Sequence, residues 1–166
     1  MKRRSRKSFS GSHIAGLSLV ALMLAAGSHP AKNLYAQGGA RISGAGISKV
    51  ARDTRKLTVA AQAPAGSSVA SGTIQFIHNS PAGLSRFRGT ITCLSVNGGV
   101  AQVSGAIEKG ETATGALLDG KSYAITINVS GSPQNFSLPT VREAVGPCSG
   151  GSSQTVPVTE DGFKLQ

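Results

Sequence analysis

Ile91–Ile107 reads ITCLSVNGGVAQVSGAI. Two runs of alternating apolar and polar residues flank Asn97-Gly98-Gly99. A period of two marks a strand with one buried face, and Asn-Gly between two such runs marks a hairpin. A two-residue turn at Asn97-Gly98 sets Cys93 opposite Gln102 and Ile91 opposite Ser104, mixing apolar with polar partners. A three-residue loop over Asn97-Gly98-Gly99 pairs Val96 with Val100, Cys93 with Val103 and Ile91 with Gly105, which keeps one face apolar. The buried face sets register, so the sequence predicts the three-residue loop, with Cys93 pointing inward.

The same pattern extends outward along the chain. In TIQFIHN (Thr73–Asn79), Ile74, Phe76 and His78 share a face, and SPAG (Ser80–Gly83) is a turn begun by proline. RFRGTITC (Arg86–Cys93) places Phe87, Ile91 and Cys93 on one side and Arg86, Arg88, Thr90 and Thr92 on the other. SYAITINVS (Ser122–Ser130) directs Tyr123, Ile125, Ile127 and Val129 inward. Ala40–Ile47 reads as a glycine-rich edge strand, Lys56–Ala63 as a second strand and Asn135–Val141 as a weaker one. The C-terminal QTVPV and FKLQ read as a hairpin turning over Thr159–Gly162. Only TATGALL (Thr112–Leu118) suggests a helical turn. Many short strands joined by Gly, Pro and Asn turns predict an all-β domain, a single small sandwich or a partly open barrel of antiparallel strands.

The N-terminus points to a compartment. Lys2, Arg3, Arg4, Arg6 and Lys7 precede the apolar run IAGLSLVALMLAA (Ile14–Ala26), which is shorter than the roughly 20 residues that span a bilayer. A basic segment, a short apolar core and small residues at a cut describe a secretory signal peptide over residues 1–36. Cleavage is expected after Ala36, with Ser28 as the alternative. Residues 37–56 read as a basic, glycine-rich approach segment, and 57–166 as the β-domain.

Charge follows from that division. The chain carries 17 basic and seven acidic side chains, which alone suggests a nucleic-acid partner. Six of the 17 precede Gln37, and five more lie between Arg41 and Lys56. From Leu57 onward, six basic face six acidic residues. A nucleic-acid groove needs clustered Lys and Arg, with aromatic platforms for single strands. The domain has no tryptophan, and no nucleic-acid partner is expected.

Chemistry-bearing residues are few. Beyond Ala36 the only histidine is His78, so a Ser-His-Asp triad would have to join it to Asp53, Asp119 or Asp161, and no GxSxG elbow is present. Asp119-Gly120 and Asp161-Gly162 read as turns. Glu108, Glu111, Glu143 and Glu160 read as solvated loop and strand-end residues rather than a glycosidase pair. Zinc needs three or four ligands, and GETATG (Gly110–Gly115) lacks the Lys-Ser/Thr of a phosphate loop. No catalytic, cofactor-binding or metal-binding residue is expected, and no cofactor. Two cysteines in an exported chain favour a disulfide. Cys93–Cys148 would close a loop of 55 positions, a constraint of about 4 kcal/mol in the chain-entropy model.

The segment GTIQFIHNSPAGLSRFRGTITCLSVNGGVAQVSGAIEKG (Gly72–Gly110) resembles the core of a family of small uncharacterised secreted bacterial β-proteins, common in actinobacteria. Their T-C-L-x-V-x-G-x-x-A-x-V-x-G hairpin is matched by Thr92, Cys93, Leu94, Val96, Gly98, Ala101, Val103 and Gly105, and a later cysteine resembles Cys148. Ser130, in INVSGS, stands where the family carries an acid. The resemblance implies the β-fold and export, and assigns no activity.

The expected protein is therefore an exported, non-catalytic β-domain. It would be a monomer without a stable membrane span after cleavage, and its partner an extracellular protein or polymer. A secreted protease inhibitor presenting SGSPQNF (Ser130–Phe136) and a small hydrolase with a non-standard site are the alternatives.

Overall fold

A computed structural model describes residues 39–144, 146, 148 and 150–166. The signal segment and its cut at Ala36 or Ser28 lie outside the described residues. Ten strands follow in order: β1 (Ala40–Val50), β2 (Asp53–Ala63), β3 (Val69–Ser80), β4 (Gly83–Asn97), β5 (Val100–Glu111), β6 (Ser122–Asn128), β7 (Asn135–Ser137), β8 (Thr140–Arg142), β9 (Thr155–Pro157) and β10 (Glu160–Leu165). The fold is all-β, as the alternation predicts.

All strands join one antiparallel sheet in the order β10-β1-β2-β3-β4-β5-β6-β7-β9. β7 and β8 succeed each other along the same side of β6. The break between them falls at Leu138-Pro139, where proline has no N–H to give a ladder. The sheet curls strongly, because its two ends are consecutive in the chain. The Val158 N–H donates to Gln134 O at 2.8 Å, and the next residue, Thr159, donates its N–H to Ile47 O at 2.7 Å. Within two residues the chain passes from one end of the sheet to the other.

The Gln134 side chain bridges the same gap. Its amide donates to Phe163 O at 3.1 Å and accepts from Phe163 N at 2.8 Å, taking the part of a backbone partner. Phe163 meets Phe136 edge-on, with centroids 6.2 Å apart. The C-terminal hairpin expected from sequence does not form. β9 pairs with β7, and β10 pairs with β1, with Asp161 opposite Gly46. That pairing buries Phe163 across the gap.

Ile42, Leu57, Val59, Ile74, Phe76, Phe87, Ile91, Val103, Ile107, Tyr123, Ile125, Ile127, Phe136 and Phe163 fill the concave side. Each fully buried large side chain contributes roughly 1.5–3 kcal/mol. Tyr123, Ile125 and Ile127 are core, as expected from the alternation, and Val129 packs partly against them.

The N-terminal expectations need correction. β1 is no edge strand, since it lies between β10 and β2. The boundary at residues 56 and 57 falls inside β2, whose ladder with β1 runs unbroken from Val50↔Asp53 to Ala40↔Ala63. The basic stretch is thus half of a hairpin. TATGALL forms turns and one bridge, Glu111↔Leu117, rather than a helical turn.

The opening hairpin also differs. Asn97 pairs with Val100 and Val96 with Ala101, around a two-residue Gly98-Gly99 turn with φ of 56° and 82°. Two successive left-handed residues match the strand twist, and glycine adopts them without a Cβ clash. One step further, β4 carries an extra residue at Thr92, and the pairing shifts to Ile91↔Gly105. The expected register therefore holds at Ile91 and fails nearer the turn.

Candidate functional site

The first consequence of that bulge concerns Cys93. Cys93 pairs with Ser104 and Leu94 with Val103. Leu94 and Val103 belong to the core, and Ser104 faces the other side. The inward placement of Cys93 is corrected: the extra residue turns it onto the convex face. There it is bonded to Cys148, with Cα atoms 5.2 Å apart.

The segment around Cys148 straps that face. Cys148 N donates to Ser104 Oγ at 3.2 Å and Gly151 N to Thr126 Oγ1 at 3.0 Å, while Leu138 N donates to Gln154 O at 2.9 Å. Beneath it Ala124 is fully buried, although its neighbours Tyr123 and Ile125 point into the core from the opposite face.

A second cluster lies at the concave end formed by the β1–β2 and β3–β4 turns. Ser48, Arg55, His78 and Ser85 form one cross-strand row, directly beyond Leu57, Phe76 and Phe87. Arg55 donates to Asp53 Oδ2 at 2.6 Å, and His78 Nε2 lies 3.7 Å from the same oxygen. Ser48 Oγ, Arg55 Nε and His78 Nε2 are buried without a hydrogen-bond partner among the described residues. The structure thus brings His78 beside Asp53, but Asp53 is already engaged by Arg55. Ser85 Oγ accepts from Ala113 N at 2.9 Å. Of the other acids, Asp119 sits on the lobe between β5 and β6, and Asp161 lies within β10 rather than in a turn.

A third cluster of chemistry-bearing side chains lines a groove on the convex face of β3, β4 and β5. Its volume is about 320 Å³, and its walls include Gln75, Arg86, Arg88, Lys109, Leu117 and Asp119. Gln75, Arg88 and Lys109 oppose one another across three strands, and Arg86 opposes Glu111. Continuing the Gly89↔Ile107 register would set Arg88 against Glu108. A bulge at Glu108 sets it against Lys109 instead.

Like charges directly opposite on a sheet repel, and the neighbouring acids relieve only part of this. Lys109 Nζ donates to Asp119 Oδ2 at 2.8 Å, and Arg86 binds Glu111 Oε1 at 2.9 Å. The Lys109 ammonium, followed by the Gly110 N–H at 2.9 Å, holds the Asp119 carboxyl below its ordinary value. The lobe contact therefore persists well into mild acid and is lost only as pH falls through that lowered value. The Arg88 side chain has no hydrogen bond or ion pair among the described residues. Leu117, 69% exposed, forms an apolar wall beside it.

Sequence alternation places Arg86 and Arg88 on the wet face correctly. It gives no sign that Arg88 lacks a partner, because that depends on the bulge. Among the described residues no group of three or more His, Cys, Asp or Glu is placed to hold a metal ion, and no helix is long and apolar enough to cross a membrane. Compared with known proteins, the chain matches no family model, no curated protein and no solved structure.

Proposed function

We propose that this chain is an exported, non-catalytic β-domain, a monomeric binding or cell-surface module that engages an extracellular protein or polymer through the convex groove. The observation that carries this reading is Arg88, a guanidinium left unmatched inside a formed groove. With no partner for its side chain among the described residues, this planar guanidinium can take a carboxylate bidentately.

Export is supported by the order of basic and apolar segments before Gln37, by the resemblance to secreted β-proteins and by the Cys93–Cys148 bond, which suits an oxidising compartment. The non-catalytic character is supported by the cluster at His78. Its one nearby carboxylate is held by Arg55, and both sulfurs are consumed in the bond.

Expression of the full chain in a secreting bacterium, followed by N-terminal sequencing of protein from the medium, tests the export part. A start at Gln37 is expected. Membrane-bound material that keeps Met1 would contradict it.

A further inference from the structure

We infer that the groove is a carboxylate site, and that its ligand is an extended protein segment carrying an Asp or Glu beside an apolar residue. This rests on the groove being the binding surface. Three features select the ligand. The first is the planar fork of Arg88, which matches a carboxylate bidentately. Its neighbours across the sheet are Gln75 and Lys109, so no acid stands directly opposite it. Glu111 and Asp119 are both already spent on Arg86 and Lys109, leaving one positive charge uncompensated in the groove.

The second feature is Leu117. It is 69% exposed and stands on a lobe anchored by Leu118 N to Gly110 O at 2.9 Å and by the Glu111↔Leu117 bridge. A free apolar wall beside a single cation suits a carboxylate with an apolar neighbour. The third is the lack of an aromatic platform. Phe87, the aromatic residue in the lining, is 4% exposed, so a sugar ring has no face to stack on. A uronic acid satisfies Arg88 and leaves Leu117 unused.

The arrangement is built, not incidental. The Glu108 bulge removes the acid that a regular ladder would supply to Arg88, and puts a like charge in its place. Bulges re-aim side chains next to functional sites.

The test uses the disulfide-bonded domain beginning at Gln37 and an end-capped peptide, acetyl-Ala-Leu-Asp-Leu-Ala-amide, titrated while the Arg88 guanidinium and Leu117 methyl resonances are followed by NMR. Saturable shifts at both positions are expected. Affinity should fall at least about tenfold when the peptide's Asp is replaced by Asn, and by a similar factor in Arg88→Gln. Equal binding of the Asn peptide would overturn the carboxylate assignment while leaving the groove a binding surface. Tighter binding of galacturonate than of the peptide would overturn the protein-segment assignment. Absence of shifts at Arg88 and Leu117 with every probe would overturn both the assignment and the groove reading.

Discussion

Tyr123 is the one tyrosine beyond Ala36, and it is fully buried. Its hydroxyl donates to Thr90 O at 2.9 Å, passing over Gly105, its partner across the β5–β6 ladder. A Cβ at Gly105 would strike Thr90 O and lie 2.9 Å from that hydroxyl, so only glycine leaves the passage open. Burial pushes the phenol up from its ordinary value of 10.0. In the unfolded chain it ionises near 10, while in the folded chain it stays protonated. Stability is therefore unaffected below that pH and falls as pH rises above it, by about 1.4 kcal/mol per pH unit. In the domain beginning at Gln37, phenolate absorbance followed against urea at alkaline pH checks this, because Tyr123 gives the whole signal there. The absorbance should appear only together with unfolding, and Tyr123→Phe should remove this alkaline slope while losing about 1 kcal/mol at neutral pH. A phenol that titrates near 10 in the folded domain would contradict it.

At the scale of elements, regular alternation was legible and its interruptions were not. Phe87, Ile91, Tyr123, Ile125 and Ile127 are where a period of two puts them. Cys93 is not, because the extra residue at Thr92 reverses the face of everything between it and the turn. A bulge carries no strong local signal here: Thr92 and Glu108 are ordinary strand residues, and the shift is imposed by the pairing of neighbouring strands. The hairpin turn was misread for a related reason. An apolar face maintained up to the turn favours three loop residues, but the bulge supplies the missing step and frees Gly98-Gly99 for the tighter turn.

The Cys93–Cys148 bond itself was legible from cysteine count and expected compartment, although not the face on which it forms. It ties a strap to the convex face alongside hydrogen bonds from Cys148 N to Ser104 Oγ and from Gly151 N to Thr126 Oγ1. Cys93→Ser, Cys148→Ser and the double variant should each lose about 2–5 kcal/mol, with similar values because all three remove one bond. Urea melts of the oxidised protein and the variants measure this. An unshifted double variant would contradict it.

For the whole molecule, closure depends on residues far apart in sequence. Gln134, Ile47, Val158 and Phe163 meet only once the sheet has curled, and no local pattern around TEDG distinguishes a partner-switching strand from a hairpin. The fold class was accessible because composition and turn chemistry act locally. The strand order, and hence which surface is concave, was not. The convex face acquired its groove from the same source: strand order brings Gln75, Arg88 and Lys109 into one line, and a bulge decides what Arg88 faces.

Site and register stand or fall together. Cross-strand nuclear Overhauser contacts at Arg88, in the oxidised domain in solution, test it most directly. Arg88 should contact Lys109, and Gly89 should contact Ile107, with Glu108 excluded from the ladder. Contacts from Arg88 to Glu108 in a regular ladder would give the arginine its acid, remove the uncompensated charge from the groove and contradict the account.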